Sequence, residues 1–304
     1  MELVIDAHGA ELPATLTLPD GPARGGLIPL HGSHCGNRDF VLYEHLAEVL
    51  PAHGIAVLRY DRRPSRLGVD VPFVDQAADA RAAISLLRRH IGDAAIGLWG
   101  FSQGGWVAPL AAATWPDEVA FLTLVSPSGV SPGAQMRYGL AQQLRNNGFA
   151  DCLDELTRFQ DAMAAYLRGQ SDAETMREEF AKAASQPWWP LLGYDFSDDV
   201  FNAPPGELWV DMDADLTSSY EAVRCPVLTF HGETDQWLSI DESIGIWREA
   251  SAKSGRPAPE VIRLPGCDHV PTIRTGDTTG ISPTYEKALL DWLNRHAVSP
   301  KAAV

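Results

Sequence analysis

Basic residues are scarce in this chain: 24 Lys and Arg face 40 Asp and Glu over 304 residues, for a formal charge of −16. A surface this negative repels phosphate backbones and anionic lipid headgroups, so neither nucleic acid nor a membrane is an expected partner. No run of about 18 apolar residues occurs, and the opening "MELVIDAHGAELPATLTLPDG" has no basic stretch followed by an apolar one. The expectation is a soluble, cytoplasmic chain. Cysteine is sparse too. Cys35, Cys152, Cys225 and Cys267 are scattered, with no C-x-x-C, which argues for free thiols rather than a disulfide framework. No metal-site spacing joins Cys and His, and neither a metal nor a cofactor is expected. Internal repeats and long low-complexity tracts are also lacking. What is present, 45% apolar and 21% charged residues, suits one large core with room for a smaller insert.

From Gly25 onward, short β-branched and apolar runs alternate with helical patterns, the signature of a mostly parallel sheet with helices on both faces. The strands predicted are "GGLIPLHG", "IAVLRYD", "AAIGLW", "FLTLVSP", "PVLTFHG" and "EVIRLPG". Between them, "FVLYEHLAEVLPAHG", "FVDQAADARAAISLLRRH", "QGGWVAPLAAAT", "SIGIWREASAKSG" and "TYEKALLDWLNRHA" read as helices. The first eighteen or so residues alternate enough to form an antiparallel pair at the sheet edge. The alternation breaks between Ser131 and Val223, where helices and loops without a buried-strand run suggest an insert over the sheet. This divides the chain into a core of residues 1–130 and 224–304 and a cap of residues 131–223.

One segment carries chemistry. "GLWGFSQGGWVAPLAAA" places Ser102 in a G-x-S-x-G pattern, at the end of a predicted strand and the start of a predicted helix. Taken alone, Ser102 reads equally as a small residue capping a helix. A nucleophilic serine at such a turn needs small neighbours two positions either side, met by Gly100 and Gly104, and a helix N-terminus favours negative charge developing there. It also needs a histidine base oriented by a carboxylate, because a hydroxyl is a weak nucleophile near neutral pH. Asp235 in "HGETDQWL" and His269 in "PGCDHVPT" follow the next two predicted strands, in the order serine, acid, histidine. His53, His90 and His296 fall at helix ends instead. Glu233 and Asp268 are the alternatives to Asp235. Stabilising a tetrahedral intermediate takes two N–H donors. Gln103, next to the serine, would provide one and Ser33, in the loop of "LIPLHGSHCGN", the other, unless that loop is only a connection. His34 and Cys35 lie beside it.

The set "LHGS…NRD", "RYDRR", "GFSQGG", "HGETD" and "GCDH" resembles the α/β-hydrolase superfamily, nearest to its dienelactone-hydrolase-like and serine-aminopeptidase-like esterase branches. The resemblance covers about 200 residues of the core. It implies the α/β-hydrolase fold, with Ser102 as nucleophile, His269 as base, Asp235 as orienting acid, and Ser33 and Gln103 as oxyanion donors. One departure stands out: where relatives continue with glycine and serine, this chain reads "RYDRRPSRLG", with Pro64 and Ser65. The cap matches no motif of the family.

The activity expected is hydrolysis of carboxylic esters or lactones on a small-molecule substrate. A peptidase, thioesterase or C–C bond hydrolase would use the same three residues, and a non-catalytic binding protein on this fold is a further alternative. Substrate choice in such a fold falls to the insert. There Trp188, Trp189 and Trp209 are candidates to line a pocket, as are Trp237 and His34 nearby, although tryptophans equally serve to join a cap to a core. Asp195, Asp198, Asp199, Glu207, Asp211, Asp213 and Asp215 crowd one part of the insert. Facing the site, they would favour neutral or cationic substrates; otherwise they form a solvated face.

Overall fold

The computed structural model describes residues 1–65, 71–193, 201 and 204–297. Among them, eight strands form one sheet in the order β1-β2-β4-β3-β5-β6-β7-β8. These are β1 (Glu2–Ala7), β2 (Ala10–Thr17), β3 (Gly25–Leu30), β4 (Ile55–Tyr60), β5 (Ala95–Phe101), β6 (Phe121–Val125), β7 (Val227–Gly232) and β8 (Glu260–Leu264). The first two form the antiparallel edge pair, β2 also runs antiparallel to β4, and every pairing from β4 through β8 is parallel. A second small ribbon, β9 (Thr272–Thr275) with β10 (Thr278–Ile281), has no counterpart in the predicted elements.

Residues of the central strands β3 to β7 feed two separate cores, because successive side chains leave a strand on opposite faces. Ile28, Leu58, Leu98 and Leu122 pack with α2 (Phe73–Ile91) and α3 (Gly104–Thr114) on one face. Leu27, Val57, Trp99 and Phe121 pack with α1 (Val41–Val49) and α9 (Pro283–His296) on the other. Trp99 is completely enclosed and its indole N–H still donates to the Tyr285 hydroxyl at 2.9 Å, so the large ring is buried without an orphaned donor.

The insert carries α4 (Pro132–Asn146), α5 (Leu153–Leu167) and α6 (Ala173–Ala184), which bury Leu140, Leu144, Leu156, Phe159 and Tyr166 in a cluster of their own. The last helix of the stretch assigned to the cap behaves differently. In α7 (Thr217–Ala222), Tyr220 stacks on Trp247 of α8 (Ile240–Lys253), and Tyr220 and Val223 join the core of the sheet. Tyr220 and Val223 thus pack with the sheet, whereas α4, α5 and α6 pack among themselves.

Strand order decides where a site can form. The chain runs from β3 to β4 on one side, then returns to place β5 on the other side of β3. The loops leaving the carboxyl ends of β3 and β5 consequently part in opposite directions and open a crevice at this switch point. Residues 31–40 and Ser102 lie on those two loops.

Candidate active site

Ser102 follows β5 directly and adopts φ = +48°, a left-handed conformation that few non-glycine residues accept. The turn is tight because its surroundings have no room for side chains. A Cβ on Gly100 would lie 2.3 Å from the Gly104 carbonyl oxygen, and one on Gly104 would lie 2.5 Å from that of Leu30. Hydrogen bonds from Ser102 N to Val125 O (3.0 Å) and from Gly105 N to Ser102 O (2.8 Å) hold the strained residue between β6 and the first turn of α3.

His269 arrives from the loop after β8, with Nε2 2.9 Å from Ser102 Oγ and Nδ1 2.8 Å from Asp235 Oδ2. With its proton on Nδ1, donated to the carboxylate, the ring leaves Nε2 free to accept from the serine hydroxyl. The Asp235 side chain is wholly buried and its other oxygen accepts from Trp237 N at 2.8 Å. Glu233 and Asp268, the alternatives, are exposed. Two loops must meet for this geometry. A Cβ on Gly232 would fall 1.8 Å from the Asp268 carbonyl oxygen, so only glycine permits the approach; Thr234 then ties the loops together by donating N–H and Oγ–H to Cys267 O (3.0 and 2.8 Å).

Ser126, which sequence reasoning passed over, supports His269 from the end of β6. It is buried, has φ = +49°, and its hydroxyl donates to the His269 carbonyl at 2.8 Å. No motif marks it, since a lone serine after a strand is common.

The loop after β3 places Ser33 and His34 at the surface, beside the half-buried Cys35. Within it, Gly32 N donates to the Tyr43 hydroxyl (3.3 Å) and Cys35 N to Gly32 O (3.1 Å). Gln103 is 5% exposed and begins the helix on the other side of the crevice. His31, buried beneath this loop with Nε2 2.7 Å from the Tyr60 carbonyl oxygen, has its pKa pushed down by burial to about 4 and stays neutral.

The candidate pocket tryptophans separate. Trp188 is 1% exposed within the cap's own cluster, its indole N–H donating to Glu155 (3.4 Å), and it serves packing there. Trp189 is half-buried against Phe159 and Phe180 in the same layer. Trp209 lines a hollow of about 180 Å³ between α4, α5 and the segment 209–213, with Arg137, Arg168 and Gln160. Trp237 reaches from the Asp235 loop to α4: a Cβ on Gly139 would lie 2.4 Å from its ring, so cap and acid loop are in direct contact. Of the acidic run, Asp195, Asp198 and Asp199 lie outside the described residues. Asp211 accepts from Phe73 N at the start of α2 (2.8 Å), Asp213 pairs with Arg168 (2.7 Å), Asp215 accepts from Thr217 N (2.9 Å), and Glu207 is exposed. Each of those three bonded aspartates is held by a structural partner.

The four cysteines are free thiols. Among the described residues no cluster of His, Cys, Asp and Glu is arranged to hold a metal ion, and no helix is long and apolar enough to cross a membrane.

Comparison with known proteins agrees with this architecture. A search of curated sequences finds no match. Among solved structures, a thermostable carboxyl esterase from Bacillus coagulans superposes with a TM-score of 0.62 at 16% identity, covering 98% of this chain and 99% of the esterase. A dienelactone hydrolase from Anabaena variabilis gives 0.56 at 16% identity, over 98% and 97% of the two chains. A proline iminopeptidase from Mycobacterium smegmatis gives 0.57 at 16%, over 98% and 99%. At such identities the likeness is one of fold. The sequence profile described as the alpha/beta hydrolase family matches residues 30–278, which span the strand-end loops carrying Ser102, Asp235 and His269. The chain belongs to the alpha/beta hydrolase family.

Proposed function

We propose that this hydrolase cleaves carboxylic esters or lactones through an acyl-enzyme on Ser102. The observation that carries the reading is the continuous hydrogen-bonded line from Ser102 Oγ through His269 to the buried Asp235, ending on a serine in strained left-handed geometry. His269 Nε2 takes the hydroxyl proton as Ser102 Oγ attacks the carbonyl carbon. The N–H groups of Gln103 and Ser33 receive the oxyanion, and Asp235 stabilises the imidazolium. His269 then gives its proton to the departing alkoxide, and an ester bond to Ser102 remains. A water molecule, deprotonated by the same Nε2, repeats the attack and releases the acid. In a lactone the alcohol stays attached to the product.

Neutral substrates are the class proposed. The chain's negative charge disfavours anionic esters through its overall field, while among the described residues of the acidic run Asp211, Asp213 and Asp215 are already bonded to Phe73 N, Arg168 and Thr217 N. The test combines Ser102→Ala with a panel of p-nitrophenyl esters, lactones, thioesters and aminoacyl amides. Loss of roughly 10⁴-fold or more in kcat on esters is expected for the variant. A variant keeping a tenth of the wild-type rate would refute the nucleophile. Faster turnover of amides or thioesters than of esters would move the wild-type protein to the peptidase or thioesterase class.

A further inference from the structure

Arg62 lies just past β4, in the motif "RYDRR", and the acyl-transfer reading gives it no role. Its guanidinium reaches both sides of the crevice. Nη2 donates to the Ser33 carbonyl at 2.6 Å, and Nη1 donates to Gln103 Oε1 at 2.7 Å and approaches the Gly32 carbonyl at 3.5 Å. Its own backbone N–H donates to Gly36 O at 2.8 Å, which fixes the base of the side chain against the same loop. Gln76 adds a second donor to Gln103 Oε1 at 3.4 Å and holds Val71 O at 2.7 Å. The neighbouring Arg63 points elsewhere, to Asp79 and the Ala7 carbonyl, so the two arginines divide their work.

We infer that Arg62 is a positioning residue that sets the distance and angle between the two oxyanion donors by gripping Ser33 and Gln103 with one guanidinium. This rests on the proposed acyl-transfer reading of the site. The loop of residues 31–40 lies outside helix and strand, and besides its backbone turn from Cys35 N to Gly32 O (3.1 Å) it is held by side-chain bonds. Arg62 holds its carbonyls, and Tyr43 holds it from below through Cys35 O (3.1 Å) and Gly32 N. A planar fork of five N–H donors can span acceptors on two separate loops, whereas an ammonium group on a flexible stem cannot hold them in one fixed plane. Donors must meet the tetrahedral oxygen rather than the ground-state carbonyl, so a loosened pair affects the transition state far more than substrate binding.

The experiment compares wild type with Arg62→Met, Arg62→Lys and Arg62→Ala on the best neutral ester of the panel. It measures kcat, KM, thermal midpoint and the affinity of an arylboronic acid that forms a tetrahedral adduct on the serine. Removing one oxyanion donor outright typically costs about 10²–10³-fold; misalignment of both should lower kcat by roughly 10–100-fold in Arg62→Met, with KM changed less than about threefold. Boronate affinity should fall in parallel, Arg62→Lys should recover only part of the loss, and millimolar guanidinium should restore turnover to Arg62→Ala. A kcat within about twofold of wild type with unchanged boronate affinity would overturn the inference, as would a loss confined to KM. Should Arg62→Met fail to fold, the lysine variant and the guanidinium titration of Arg62→Ala decide: full activity in the former, or no rescue in a folded Arg62→Ala, counts against it. Ser102→Ala separates the two levels, because an active Ser102→Ala removes the acyl-transfer reading itself, whereas an inactive one beside a fully active Arg62→Met removes only the role of Arg62.

Discussion

Acid should destabilise this fold through a histidine that takes no part in the proposed reaction. His231, on β7, is 1% exposed and neither ring nitrogen has a hydrogen-bond partner. Burial lowers its pKa to about 4, against a weaker upward pull from Asp235 and a further downward push from Arg263. The folded protein therefore holds a neutral ring, while the unfolded chain binds a proton near the ordinary value of about 6.5. Because the unfolded state binds more protons in this window, the stabilising contribution is present above about pH 6.5 and is lost as pH falls towards about 4. Between pH 7 and pH 5 the linkage amounts to about 2 kcal/mol, and to about 3 kcal/mol by pH 4. The assay is urea unfolding of wild type and His231→Leu at pH 7 and pH 5. Leucine removes the titration and the unpartnered nitrogens while keeping similar volume. The variant should lose about 2 kcal/mol less than wild type over that interval, the contributions of the carboxylates cancelling between the two proteins. Equal losses would refute the reasoning.

Gly104→Ala should thrust a methyl group onto the Leu30 carbonyl, 2.5 Å away. Such overpacking costs about 1–3 kcal/mol and displaces the turn that carries Ser102, so a lower thermal midpoint should accompany a kcat reduced by roughly tenfold or more; unchanged kinetics would mean that the turn has slack. Asp79 is 1% exposed and accepts a bidentate pair from Arg63; burial pushes its carboxyl's pKa up, against the opposing pull of the guanidinium, so the charge depends on that partner. Asp79→Asn should cost about 3–5 kcal/mol in denaturant unfolding, with Arg63→Met/Asp79→Asn costing less than the sum of the single changes; additive losses would show that the two side chains act independently.

Much of this arrangement was legible in the sequence for physical reasons. Buried parallel strands must be apolar on both faces, so β3, β5, β6 and β7 stand out against the amphipathic helices that cover them. A sharp turn into a helix tolerates only small neighbours, which is why Gly100 and Gly104 mark Ser102. The β9-β10 ribbon escaped because its strands are short, largely polar and paired only with each other, leaving no buried stripe to read. The packing of α7 on the sheet was not legible for a related reason: six helical residues show too little periodicity to tell which layer they join.

Linear order alone determined the fold class and the succession of Ser102, Asp235 and His269, because each follows a strand whose pattern is local. Only the tertiary structure decided what surrounds them. Arg62 reaches Ser33 and Gln103 across separations of 29 and 41 residues, Ser126 supports His269 across 143, and Trp188 turns into the cap's interior rather than remaining a pocket wall. No local pattern encodes such partners. A side chain's role at these positions depends on which loops the sheet order brings within hydrogen-bonding distance, and that distance exists only once the strands have paired.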